Sequence, residues 1–306
     1  VIDITRLQIM TTIALQAGTA RAEIALNGGE ARAWAIADRS LLWRPDPAYW
    51  ADTAPILFPI VGWTAGGRVR IGDSFYPLGL HGFARHADFT VTRQAPAAVR
   101  LELASTATTR ILYPFDFRLS VDHVLGETRF TTILTIANVG ATPMPYACGL
   151  HPGFCWPFAG GSMADYRLRF EHAEVPFVPE ISAAGLFLPS QRPVPLEAEI
   201  LPLTPALFAK EALCFLSAKS RSIRFEHQSG AAIIVETEDF PHFALWSRPG
   251  APFLSIETWT GHGDPQDFAG SLFDKPGMRL LAPGAEARHA ATYVYCDGAK
   301  AADAMS

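Results

Sequence analysis

Residues 115–125 read F-D-F-R-L-S-V-D-H-V-L, and their alternation decides the fold class. Phe115, Phe117, Leu119, Val121, His123 and Leu125 take every second place, with Asp116, Arg118, Ser120 and Asp122 between them. A period of two belongs to a strand with one face on a core and one toward solvent. Phe130, Thr132, Leu134 and Ile136 continue the pattern after a short turn at Gly126–Thr128, so the two strands are expected to be antiparallel neighbours.

The same signal recurs outward from this pair. Ala22 to Ile36 reads as a hairpin turning at Asn27-Gly28-Gly29, with Trp34 and Ile36 on its buried face. Further strands are expected at Ile56–Val61, Arg68–Ile71, Phe89–Thr92, Tyr166–Phe170, Ala212–Leu216, Ile223–Glu226, Ala232–Thr237, Phe243–Ser247, Phe253–Thr258 and Ala290–Tyr295. Helix signals are confined to Pro205–Leu213, where Thr204 can cap and Pro205 can open a first turn, and to Gln266–Phe273. The 24 glycines and 24 prolines fit many turns between short segments. The expected fold is all-β: a large antiparallel β-sandwich with a few short helices, spanning 1–306 as one domain because no linker, repeat or low-complexity stretch divides it.

Composition narrows the function classes. Net charge is −5 and 18% of residues are charged, which recommends neither a nucleic acid nor a membrane surface as partner. No window approaches a membrane span, and the N-terminus lacks the pattern of a secretory signal, so a cytoplasmic location is expected. Cys148, Cys155, Cys214 and Cys296 include no C-x-x-C pair and are expected as reduced thiols.

Three short stretches can carry chemistry. Tyr146–Phe158, Y-A-C-G-L-H-P-G-F-C-W-P-F, places His151 on backbone that three prolines keep out of a helix, with Phe154, Trp156 and Phe158 close by. His81 lies in L-H-G-F-A-R with Arg85 four residues on, and Glu257 lies in F-L-S-I-E-T-W. In that last stretch Phe253, Ser255 and Glu257 share one strand face. Each has a plain structural reading: His151 as a core histidine satisfied by a carbonyl, Glu257 as a salt-bridged strand residue, Arg85 as the partner of Asp88. Together they offer a proton donor, a proton acceptor and an orienting group, which only a fold can bring together. A nucleophilic serine lacks its G-x-S-x-G setting. His81 with His86, or His262 with Asp264, are the nearest approach to metal ligands, without H-x-H or H-E-x-x-H spacing; neither a metal nor a cofactor is expected.

In order along the chain run D-P-A-Y-W (46–50), L-F-P-I-V-G (57–62), H-G-F-A-R (81–85), Y-P-F-D-F (113–117), H-P-G-F (151–154), F-P-H-F-A-L-W (240–246) and I-E-T-W-T-G (256–261). With these motifs the sequence resembles the aldose 1-epimerases, the galactose mutarotase-like proteins, through nearly its whole length. The resemblance implies a large antiparallel β-sandwich with a small-molecule sugar in a cleft on one sheet. It also implies Glu257 as catalytic base, His151 as the acid that protonates the ring oxygen, and His81 as a second histidine near that oxygen. Arg85, Glu211, Trp63, Phe154 and Trp246 are expected to contact substrate, in a monomer or homodimer. Three departures bear on specificity: Trp63 stands where many relatives have Arg, Thr258 replaces the proline of I-E-P-W, and Glu211 stands where Asp is frequent. A free aldose is therefore expected over a hexose 6-phosphate, which would need Arg68, Arg70 or another cation beside Arg85. A sugar-binding protein without activity is the remaining alternative.

Overall fold

The computed structural model describes residues 12–298. Every pairing between its named strands is antiparallel. The largest sheet has nine strands, in the order Ile200–Pro202, Tyr166–Phe170, Ser222–His227, Ala232–Glu238, Glu286–Cys296, Arg129–Asn138, Phe117–Leu125, Ala98–Ala104 and Thr90–Ala95. The alternating pair lies within it, in unbroken register from Phe117 opposite Asn138 to Leu125 opposite Phe130. Phe117, Leu119, Val121 and Leu125 are buried, whereas Val124 is exposed, as a period of two requires.

A second sheet has six strands. Its path is Leu213–Phe215, His242–Trp246, Phe253–Trp259, Gly149–Leu150 and Ile56–Leu57, with Gly153–Cys155 also pairing onto Phe253–Trp259. A four-stranded sheet of residues 12–40 contains the expected hairpin. There Trp34 is buried, and Ile36, two residues on along the same face, is partly buried against the core.

The nine- and six-stranded sheets pack face to face to form the sandwich. Phe58 meets Phe117 with ring centroids 5.0 Å apart, and Phe154 meets Tyr293 edge-on at 5.3 Å. Leu245, Leu254 and Ile256 turn into the same core. Burying side chains of this size stabilises the fold by roughly 1.5–3 kcal/mol each, before the entropy of ordering them is counted.

Both helix expectations shrink to single turns. Pro205–Phe208 and Leu272–Asp274 are short 3₁₀ segments, and the α-helix among the described residues is Ala107–Leu112, closed by a reciprocal Thr106–Thr109 capping box. The segment after Phe208 is drawn instead into the strand Leu213–Phe215, whose pairing onto His242–Trp246 satisfies its backbone. All four cysteines are unpaired thiols. No helix among the described residues is long and apolar enough to cross a membrane.

Candidate active site

The strand Phe253–Trp259 is buried along its whole length. Leu254, Ile256 and Thr258 turn toward the core, and Phe253, Ser255, Glu257 and Trp259 turn to the opposite face, where Glu257 and Trp259 line a cleft of about 560 Å³. The chain pairs alongside from Gly149 opposite Trp259 to Cys155 opposite Phe253, in one register across both short strands. That register puts His151 directly across from Glu257, with both side chains on the cleft face. His151 Nε2 lies 3.3 Å from Glu257 Oε2.

His81 arrives from outside the sheet. Its amide donates to the Gly62 carbonyl (3.0 Å) and its carbonyl accepts from the Phe58 amide (3.3 Å), which moors it to the edge of the sheet beyond Ile56–Leu57. A left-handed φ of 62° at His81 aims the ring inward, and it meets the His151 ring edge-on at 5.6 Å. Gly62 must be glycine, since its φ is 75° and a Cβ there would stand 2.4 Å from the Gly263 nitrogen.

Aromatic rings wall the histidines. Trp50 lies over His151 at 5.0 Å and stacks on Phe253 at 5.2 Å, and Trp246 meets both Trp50 and His151 edge-on. Gly153 makes room for Trp50, because a Cβ there would come within 2.7 Å of the indole. On another side of the cleft stand Trp63, 44% exposed, and Phe187.

Burial governs the titration of the site. It pushes Glu257 well above the usual carboxylate range, opposed by the hydrogen bond Trp259 Nε1 donates to Oε2 (3.1 Å) and by the Arg85 charge. Burial, reinforced by Arg85, lowers His151 to about 3. Burial lowers His81 also, with His151 and Arg85 adding to the effect. Burial thus favours the uncharged form of all three, an arrangement in which Glu257 and His151 hold one exchangeable proton between them. Moving it from Oε2 to Nε2 creates a carboxylate and an imidazolium together, a base and an acid within reach of one small molecule.

The expected residues divide clearly. His81, Arg85, His151, Glu211, Trp63, Trp246 and Glu257 all line the cleft. Phe154 does not: it is fully buried in the core against Tyr293. Strand alternation is the reason, since three residues on from His151 is the opposite face. Trp156 and Phe158 are core residues too, so the aromatic setting of His151 comes from Trp50 and Trp246 instead. Thr258, on the core face, does not line the cleft. Arg85 pairs with Asp52, not with Asp88, whose carboxylate accepts from Asn27. Arg68 and Arg70 line a separate cavity near Lys275, so neither completes a cation cluster with Arg85. The cleft cations beyond Arg85 are Lys210 and Arg248, which the residue-by-residue reading missed together with Asp52, Ser255 and Cys214. Trp50, within D-P-A-Y-W, also lines the cleft, with no local sequence signal for the role. Among the described residues no three His, Cys, Asp or Glu side chains gather as a metal site would require.

The sequence model of the aldose 1-epimerase family matches residues 11–293. The chain belongs to the aldose 1-epimerase family. Among family-scale relatives, the chromosomal protein LacX of Lactococcus lactis subsp. lactis is 32% identical over 253 residues, covering 79% of this chain and 85% of LacX. A galactose mutarotase related enzyme from Lactobacillus acidophilus superposes with a TM-score of 0.87 at 25% identity, covering 94% of this chain and 98% of that one. A galactose mutarotase-like protein from Lactobacillus casei gives the same TM-score, 0.87, at 27% identity, with 94% of this epimerase-family chain and 100% of that chain covered.

Proposed function

We propose that this chain is an aldose 1-epimerase that interconverts the α and β anomers of a free hexose or related aldose by acid–base ring opening. The observation that carries the reading is the cross-strand contact of His151 with Glu257, closed over by His81 and by Trp50. Glu257, as carboxylate, takes the proton of the C1 hydroxyl. His151, as imidazolium, gives its Nε2 proton to the ring oxygen. The C1–ring-oxygen bond breaks with its electron pair on that oxygen, and C1 becomes an aldehyde. Glu257 and His151 then hold one proton between them, as at rest. Rotation about the C1–C2 bond and the reverse transfers close the ring as the other anomer. Each transfer is worth on the order of 10²–10⁴ in rate. Trp50 and Trp246 suit the apolar face of a sugar, and Arg85, neutralised by Asp52, suits its hydroxyls better than a phosphate. A non-catalytic sugar binder has no use for a buried acid–base pair.

One observation favours a second reading. Lys210 and Arg248 line the cleft, and neither forms an ion pair among the described residues. A hexose 6-phosphate would engage them. Polarimetry and exchange NMR on a panel of free and phosphorylated aldoses test both readings. Catalysed exchange of free glucose or galactose is expected; exchange confined to phosphates favours the second, and no exchange on any aldose removes both.

A further inference from the structure

We propose that the two cleft histidines are locked in opposite tautomers, with Ser255 the positioning residue that sets His151. The inference gives each histidine a distinct role within the epimerase reading and rests on that reading only for its catalytic consequence.

Hydrogen-bond accounting around Ser255 favours one arrangement. Ser255 is fully buried, and its Oγ lies 2.9 Å from the Pro152 carbonyl oxygen and 3.0 Å from His151 Nδ1. A carbonyl oxygen can only accept, so the single hydroxyl proton of Ser255 goes to Pro152. The contact with Nδ1 is then a hydrogen bond only if Nδ1 carries the proton. The reverse choice, with the hydroxyl donating to Nδ1, leaves the Ser255 oxygen 2.9 Å from the Pro152 carbonyl oxygen with no proton between them, even though that carbonyl also accepts from the Ile256 amide (3.2 Å). The relay therefore runs from Nδ1–H to Oγ and from Oγ–H to the carbonyl. It leaves Nε2 of neutral His151 with its lone pair toward Glu257.

His81 is held the other way. The Gly62 amide, which can only donate, lies 3.1 Å from His81 Nδ1. Nδ1 must accept, so neutral His81 carries its proton on Nε2, an atom with no hydrogen-bond partner among the described residues. The ring stands in the cleft wall at 5.6 Å from His151. His81 thus offers the sugar a permanent neutral N–H, while His151 is the histidine whose Nε2 can gain and lose a proton. Ser255 is two residues before Glu257 on the same strand face. One strand therefore carries both the base and the group that orients the acid. The other titratable or charged groups facing the pair are Arg85 with its partner Asp52, and Cys214.

The test begins with the unliganded wild-type chain, by nitrogen-15 NMR of its imidazoles with assignment by His81→Gln and His151→Gln. At neutral pH the expected spectrum has His151 with a protonated Nδ1 and a bare Nε2, and His81 with the reverse. The same tautomer at both rings overturns the proposal whether or not the chain is an enzyme. Ser255→Ala is expected to release His151 from its Nδ1–H form and to lower kcat roughly 10- to 100-fold with little change in KM, the size of effect that orienting partners of functional histidines have elsewhere. Ser255→Thr, which keeps the hydroxyl, is expected to restore the tautomer and most of the rate. If Ser255→Ala lowers the melting temperature but leaves the His151 tautomer and the pH–rate profile unchanged, Ser255 is merely structural and its assignment falls. If the tautomers are opposite yet no aldose is turned over, the tautomer assignment stands and the epimerase reading falls.

Discussion

His151 and Glu257 are direct cross-strand partners, with Nε2 and Oε2 3.3 Å apart, although 106 positions separate them in the chain. The register of two short strands enforces the contact, and the burial of both side chains, which raises Glu257 and lowers His151, disfavours an ion pair there. Five expectations follow from that contact and from the cleft around it.

Glu257→Gln keeps nearly the same shape but cannot take a proton. Its kcat is expected to fall at least ~10²-fold with the fold intact. Anomer exchange measured beside circular dichroism checks this; a folded variant with near wild-type turnover would show that Glu257 is not the base.

The same substitution has a signed effect on stability. The folded pKa of Glu257 is raised above its ordinary value of 4.5, so the stability it contributes is fully present below that value and is lost as pH rises toward the folded pKa. The slope is about 1.4 kcal/mol per pH unit for one proton. Glutamine has no such slope. The melting temperature of Glu257→Gln relative to wild type should therefore climb as pH rises above 4.5 and level off once the folded pKa is passed, and a difference that stays constant with pH would contradict the raised pKa.

Activity needs one proton on the pair, neither none nor two. At the acid end it is expected to fail only as His151, lowered to about 3, takes a second proton. At the alkaline end it fails as pH passes the raised pKa of Glu257. Between these limits the pH–rate profile should show no imidazole limb, with His81, Arg85 and Cys214 as the neighbouring groups. A limb at the ordinary imidazole value near 6.5 would mean that burial does not control His151.

Trp50→Ala removes the ring that covers both His151 and Phe253. An aromatic contact is worth roughly 0.5–1.5 kcal/mol beyond its buried area, so kcat/KM is expected to drop about two- to tenfold from the lost stacking alone. Steady-state kinetics on the preferred aldose provide the measurement, and an unchanged kcat/KM would place the sugar away from Trp50.

Substrate charge can be read from a ratio. Arg85 is engaged by Asp52, and Arg68 and Arg70 lie at another cavity, so kcat/KM is expected to favour free glucose or galactose over the 6-phosphates at fixed ionic strength. A tenfold preference for the phosphates, about 1.4 kcal/mol in transition-state binding, would assign Lys210 and Arg248 to a phosphate and should vanish in the double alanine variant.

Much of this was legible in the residues. Alternation in Phe117–Leu125 and in its neighbour identified a half-buried antiparallel pair, because side-chain period depends only on local backbone geometry. The same rule placed Phe253, Ser255 and Glu257 on one face before any partner strand was known. The ordered motifs marked His81, His151 and Glu257. What the sequence could not determine is everything that depends on which strand lies beside which. Phe154 looked like a neighbour of His151 and is a core residue, since odd spacing on a strand reverses the face. Trp50 reaches His151 only because Gly153 leaves the sheet open beneath it. Arg85 met Asp52 across 33 residues in place of the nearby Asp88. The pKa directions and the two imidazole tautomers come from desolvation and from single hydrogen bonds to Ser255 and Gly62, and these exist only once distant segments are packed. Local periodicity is written into neighbouring residues, whereas register, burial and hydrogen-bond partners arise when the tertiary fold brings distant segments into contact.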